Sequence, residues 1–219
     1  MNQSSKNIAL KGRVSNPDAY ELDISGPHGE VEFGRDVVLL GRTRIRFREG
    51  GGRLVLGNKV QLQGFFDIGD GSTVRIGAAS KINRQCKFIA LEGACIHLGR
   101  RCLLSNATLR TCDMHSILDL EGNRINPSRS ITLENKVWLA ENTYVAKGVS
   151  IGHDTVIAAN SVVTKSIPPH VIAAGNPARI VRSDISWHRK RLPIPTQGAT
   201  GDGARPEDLP APREPKHQR

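Results

Sequence analysis

The sequence predicts an all-β fold, a parallel β-helix of hexapeptide repeats, and three observations carry that prediction. Toward the C-terminal end, Leu133, Leu139, Val145, Ile151, Ile157 and Val163 stand six residues apart. Four residues after each comes a small or β-branched partner: Val137, Thr143, Val149, Thr155, Ser161 and Ile167. A helix of about 3.6 residues per turn would carry a period of six around every face, whereas three short strands per triangular coil of about eighteen residues stack each aliphatic side chain on its counterpart one coil away. The composition agrees. In 219 residues, aromatics at 4% and hydrophobics at 38% are too few large side chains for a sandwich core, yet Val, Ile and Leu suffice for a stacked column stabilised by neighbouring coils.

Taken in order, residues 1–30 form an N-terminal extension in which the alternation AYELDIS could add a strand or two ahead of the first coil. The column is expected over 31–182. Leu56, Leu62 and Ile68 keep the step of six, with Val60, Phe66 and Ser72 as partners, and Val74 marks a slip of register. Ile76, Ile82 and Phe88 resume it, and Leu98 and Leu104 follow a short insertion. Gly57, Gly69, Gly77, Gly99 and Gly152 each follow an inward aliphatic residue, where a Cβ would crowd the corner between strands. The segment 110–130, RTCDMHSILDLEGNRINPSRS, has no sixfold aliphatic step and is expected to leave the column as a protruding loop, the usual place for chemistry on a rigid scaffold. A short helix is expected over 183–192, with Ser183 as N-cap and Ile185, Trp187 and Leu192 as its apolar members. Residues 193–219 are rich in Pro, Gly and charge and read as a disordered tail.

The chain contains no apolar run of eighteen residues and its first residues lack the apolar centre of a secretory signal, so no membrane span and a cytoplasmic location are expected. Cys86, Cys95, Cys102 and Cys112 show no zinc-like spacing and read as reduced, mostly buried small side chains, although Cys112, three residues before His115, offers a thiol nucleophile as a competing idea. The seven histidines show no three-ligand spacing, which argues against a zinc hydratase built on the same coils. Few aromatics and no matching motif argue against nucleic acid as a partner. The net charge is +10; from Asp184 onward seven Lys or Arg face five acids, so +2 lies in the tail and +8 in the body. Arg42, Arg44, Arg46 and Arg48 alternate and fall on one side of an extended strand, a surface suited to an anionic acceptor or simply to solvation.

The run VWLAENTYVAKGVSIGHDTVIAANSVVTKSIPPHVIAAGNPARIVR, residues 137–182, resembles the C-terminal signature of the hexapeptide-repeat acyltransferases, and the loop DMHSILDLEGNRINPSRSI resembles that of their sugar and capsular polysaccharide O-acetyltransferases. The resemblance implies a left-handed coil, a homotrimer with sites between neighbouring columns, acetyl-coenzyme A as acyl donor with no metal required, and a carbohydrate hydroxyl as acceptor. His115 is then the general base, because histidine is the side chain whose acidity matches neutral pH. Trp138 and Asn142 are candidate donors to the tetrahedral oxyanion. Asp113 and Asn126 are candidate acceptor-site residues, Asp113 also as an orienter of the imidazole. The coenzyme A arm is assigned to the backbone at Glu141, Ala158 and Ala159, with Glu141 departing from the small residue usual there. Thr164, Lys165, Arg179 and Arg182 are assigned to its nucleotide end, guanidinium forks being suited to phosphate. A small-molecule acetyltransferase acting on a free sugar, serine or an antibiotic, and a non-catalytic hexapeptide scaffold or binding protein, are the alternatives.

Overall fold

A computed structural model describes residues 2–3 and 7–193. Among them there is no helix, and the strands wind into a parallel solenoid with three faces. One face is a seven-stranded parallel sheet running from Ile8–Lys11 through Gly29–Phe33, Gly52–Leu56, Ser72–Ile76, Cys95–Leu98 and Ile131–Leu133 to Ser150–Ile151. The second contains Lys81–Asn83, Leu103–Ser105, Trp138–Leu139, Val156–Ile157 and Ile172–Gly175, and the third contains Cys86–Ala90, Thr108–Arg110, Tyr144–Val145 and Val162–Val163. Two long strands, Val38–Phe47 and Gln61–Ile68, turn the corner between the second and third faces.

The sixfold residues form the axis of the column. Leu133, Leu139, Val145, Ile151, Ile157 and Val163 are all fully buried, and register pairs such as Leu133 with Ile151 and Leu139 with Ile157 place each on its counterpart eighteen positions on. Partner positions sit at the corners, where Thr143 donates from Oγ1 to the Ala140 carbonyl at 2.8 Å and Thr155 to that of Pro168 at 2.9 Å, so a polar atom is buried with a partner. Phe66 and Phe88 stack at 4.7 Å between centroids with nearly parallel rings. The corner glycines are required by close approach: a Cβ at Gly77 would lie 2.5 Å from the backbone of Gly99, and one at Gly152 would lie 2.3 Å from the Pro169 nitrogen.

Three expectations change. Strand pairing begins at residue 2, where Asn2–Gln3 pairs in parallel with Leu22–Ser25, and Ile8–Lys11 pairs with Gly29–Phe33, so most of the N-terminal extension is itself column. Earlier coils are also larger, since Leu54 pairs with Val74 and Val74 with Ile96 across 20 and 22 positions. What reads as a slip at Val74 is therefore a longer strand, Ser72–Ile76, with Ser72, Val74 and Ile76 all inward. Finally, the helix expected over 183–192 does not form. Its polar groups are engaged by the column instead: Ile185 donates its N–H to the His170 carbonyl at 3.0 Å, Ser186 donates to Asp154 Oδ1 at 2.9 Å, and the Trp187 indole donates to the Lys136 carbonyl at 2.5 Å. Of the expected tail, residues 194–219 lie outside the described residues.

Candidate active site

The loop leaves the column after Thr108–Arg110 on the third face and returns at Ile131–Leu133 on the first. It folds as a small hairpin in which Leu118 bridges Arg124, Ile125 donates to the Ile117 carbonyl at 2.9 Å, and Asp119 caps the turn by accepting from the Glu121 and Asn123 amides. Asn126 organises it. Almost fully buried, it accepts from the Ile117 amide at 2.8 Å and Arg124 Nε at 3.2 Å, and donates to the His115 carbonyl at 2.8 Å and Asp113 Oδ2 at 2.9 Å. Lys147 reaches across from the next coil and donates to Asp113 Oδ2 at 2.5 Å and to the Asn126 and Pro127 carbonyls. Arg124 pairs with Glu92 at 2.7 Å, tying the hairpin to the coil before it.

Against this fixed frame, the His115 imidazole is exposed and makes no hydrogen bond or ion pair among the described residues. Its backbone is held and its ring is free. Asp113 is turned toward Lys147 and Asn126, whose hydrogen bonds hold its carboxyl below the ordinary carboxylate value, and it does not contact the His115 ring. Cys112 is buried beside Ile89 and Leu91, and burial raises its thiol, so it lacks the thiolate that a nucleophile needs. None of the four cysteines is in a disulfide, and burial pushes Cys86 up to about 12.

Trp138 and Asn142 lie elsewhere on the coil. Trp138 begins a strand of the second face, is half-buried, and meets Trp187 at 5.6 Å between ring centroids, with no partner for its own indole N–H among the described residues. Asn142 occupies the corner between the second and third faces at φ 60°, where it accepts from Asn106 at 2.5 Å and donates to Asn160 at 3.1 Å. It is one rung of an asparagine ladder. Neither makes a hydrogen bond to the His115 loop among the described residues. Glu141 pairs with Arg84 at 2.5 Å and its carbonyl accepts from the Asn160 amide, while Ala158 donates to the Ala173 carbonyl; Ala159, exposed beside them, keeps both backbone groups outside this ladder. Thr164, Lys165, Arg179 and Arg182 are all exposed at the C-terminal end of the column, the last two on a strand, Ala178–Arg182, that returns antiparallel to Ile172–Gly175. That end therefore presents a hydroxyl and three cations, a donor set that fits phosphate oxygens.

The four alternating arginines do share one side, but acids from neighbouring coils meet them. Arg42 pairs with Glu21, Arg44 with Asp23, and Arg46 and Arg48 share the buried Asp67, each at 2.6 Å. Arg42 and Arg44 also line a cleft of about 200 Å³ on the third face with Gln63, Phe65, Gln85 and Lys87. Lys147, the Asn126 clamp and this cleft escape sequence reasoning. Lys147 and the cleft are brought to their partners only by stacking across coils, at separations of 20 or more residues, whereas the Asn126 clamp closes inside the loop over 13 residues or fewer.

A three-faced parallel column with one loop leaving it between the third and first faces defines a hexapeptide β-helix. Residues 130–165 match the family model of the bacterial transferase hexapeptide, six repeats. Over 86% of the chain the structure superposes on 87% of the polySia-specific acetyltransferase NeuO, with a TM-score of 0.75 and 30% identity. It matches the polysialic acid O-acetyltransferase OatWY with a TM-score of 0.73 at 25% identity, over 87% of this chain and 92% of that one. In sequence it is 34% identical to the galactoside O-acetyltransferase of Escherichia coli strain K12 over 51% of this chain and 55% of the relative. It is 31% identical to the polysialic acid O-acetyltransferase of Escherichia coli O1:K1 / APEC over 54% of this chain and 39% of the relative. The chain thus spans about half or less of these curated relatives. It belongs to the hexapeptide-repeat acyltransferases, and its coil is the left-handed β-helix of that family.

Proposed function

We propose that this protein is an acetyl-coenzyme A-dependent O-acetyltransferase that acts on a hydroxyl of a sugar or surface polysaccharide. The observation that carries the proposal is the His115 loop, whose backbone and neighbouring polar groups are tied down while the imidazole itself stays free for a substrate. His115 takes the proton of the attacking hydroxyl as that oxygen adds to the thioester carbonyl, then delivers it to the departing sulfur. No covalent enzyme intermediate is needed. The unpartnered Trp138 indole N–H is the oxyanion donor we favour, because the Asn142 amide is already committed to its ladder. Lys165, Arg179, Arg182 and Thr164 hold the phosphates of the donor, and the backbone around Ala158 and Ala159 faces its arm.

His115 lies in the loop between the third and first faces and Trp138 on the second face of the same coil, which supports a homotrimer in which the loop of one column faces the second face of another. A cytoplasmic location follows from the donor, a polyanion that does not cross membranes unaided; no helix among the described residues is long and apolar enough to span one. The acceptor is an anionic saccharide in this reading. The cleft on the third face combines an aromatic ring, two amides and three cations, and it lies on the face from which the His115 loop departs. Three of the matches above are named for polysialic acid. The test is a panel of neutral and acidic oligosaccharides with purified protein and acetyl-coenzyme A, reading thiol release together with acetyl ester in the saccharide. Acetylation of acidic oligosaccharides supports the reading; acetylation of free sugars, serine or an antibiotic alone overturns the polymer, and no acetylation with any acceptor favours a binding column.

A further inference from the structure

The corner between the first and second faces carries a cluster that none of this chemistry uses. Lys136, Asp154 and His170 are equivalent left-handed corner residues of three successive coils, with φ of 55°, 56° and 61°. Asp154 donates its amide to the Asn135 carbonyl and His170 to that of His153, so the corners stack rigidly. His153, beside Asp154, meets His170 edge to face at 4.6 Å between ring centroids. One donor atom from each of His153, Asp154 and His170 lies within 4.8 Å of the other two.

The tautomers suit a cation. His170 Nδ1 is 3.1 Å from the Ile185 carbonyl, which can only accept, so the proton sits on Nδ1 and the lone pair on Nε2. A backbone carbonyl fixing the distal ring nitrogen is the usual support of a metal-bound imidazole. His153 Nδ1 lies 3.4 Å from Asp154 Oδ2. Asp154 Oδ1 is engaged by the Lys136 ammonium and by Ser186, so Oδ2 is its available oxygen. We infer that His153, Asp154 and His170 form a site for a borderline divalent cation such as Zn²⁺, bound by two imidazoles and one carboxylate with water completing the shell. Mg²⁺ and Ca²⁺ prefer all-oxygen shells and do not fit this set. Bonds of about 2.0–2.2 Å require the donor atoms to close by roughly 1–1.5 Å, a shift that the exposed imidazoles can make on a fixed corner. Occupation ties the segment at Ile185 and Ser186 to the last coils and is separate from acyl transfer.

The cation competes with Lys136 for Asp154, and this gives the inference a distinctive signature. Zn²⁺ is titrated calorimetrically into the metal-stripped full chain, the His153→Ala/His170→Asn variant and Lys136→Met. Asn is chosen at 170 because it tolerates the left-handed corner. Both tryptophans, Trp138 and Trp187, lie by this corner, so quenching of their emission by Co²⁺ gives an independent readout. The expected result is one Zn²⁺ per chain, binding at least about ten-fold weaker in the double variant and several-fold tighter in Lys136→Met, with Co²⁺ quenching lost in the double variant. Undiminished Zn²⁺ binding in the double variant assigns it to other histidines and overturns the site, as does the absence of saturable binding in the wild type.

Discussion

Replacing Asn126 by Ala tests whether the loop is a built part of the machinery. The side chain makes four hydrogen bonds, two to neutral backbone groups and two to the charged Asp113 and Arg124. Neutral hydrogen bonds contribute about 0.5–1.5 kcal/mol each and those to charged groups about 1.5–3. Water reaches the loop and recovers much of this, leaving about 2–3 kcal/mol against the ordered conformation. All four bonds join loop residues to one another, and none reaches the buried column, so the loss falls on loop order and not on the fold. Since about 1.36 kcal/mol is a factor of ten, kcat should fall roughly 30- to 150-fold. Tm should move by no more than a couple of degrees, because the coil axis is untouched. Asn126→Asp keeps the acceptors but sets a second carboxylate beside Asp113 Oδ2, and should be at least as damaging at neutral pH. The assay is acceptor-dependent thiol release beside a thermal melt. Unchanged kcat in Asn126→Ala, or a melt lowered as far as by a core truncation, would refute the reasoning.

Other perturbations probe the column and the acceptor surface. Gly152→Ala forces a Cβ to 2.3 Å from the Pro169 nitrogen, and a melt should show a loss of about 1–3 kcal/mol from overpacking between adjacent coils. Arg42→Ala/Arg44→Ala should raise the KM for an acidic oligosaccharide several-fold at low salt and less at high salt, with kcat preserved; a salt-independent or absent change removes the cleft from the acceptor path. Burial alone would raise the Asp67 carboxyl, but Arg48 and Arg46 hold it below its ordinary value of 3.8. A depressed folded-state value means stability that is present above the unfolded value and lost as pH falls through the folded one. Wild-type denaturant midpoints should therefore fall more steeply below about pH 3.8 than those of Asp67→Asn, and parallel curves would contradict the pairing.

The column was legible because its signal is repetitive: a side chain every six residues can satisfy only a triangular coil, and each one named from Leu133 to Val163 is on the axis. Coil size was not legible, since alternation inside a strand such as Ser72–Ile76 looks like a broken repeat until the partner coil is known. The segment after Arg182 has amphipathic spacing but folds against the column, because Trp187 and Ser186 find fixed acceptors there that a helix would forgo. The loop could be named from the break in the sixfold repeat, and its histidine proposed from residue chemistry together with the family resemblance. The assignments of Asn126 and Asn142 required coordinates: one asparagine clamps the loop and the other joins a ladder, and no local pattern separates them. His153 and His170 show no ligand spacing in sequence because stacking, and not chain proximity, makes them neighbours.

The measurement that bears most directly on the account is the turnover of His115→Ala with acetyl-coenzyme A and a competent acceptor, alongside the affinity of the variant for coenzyme A. Loss of a general base predicts a fall in kcat of about 10²–10⁴ with coenzyme A affinity retained. Turnover within a few-fold of wild type would contradict it.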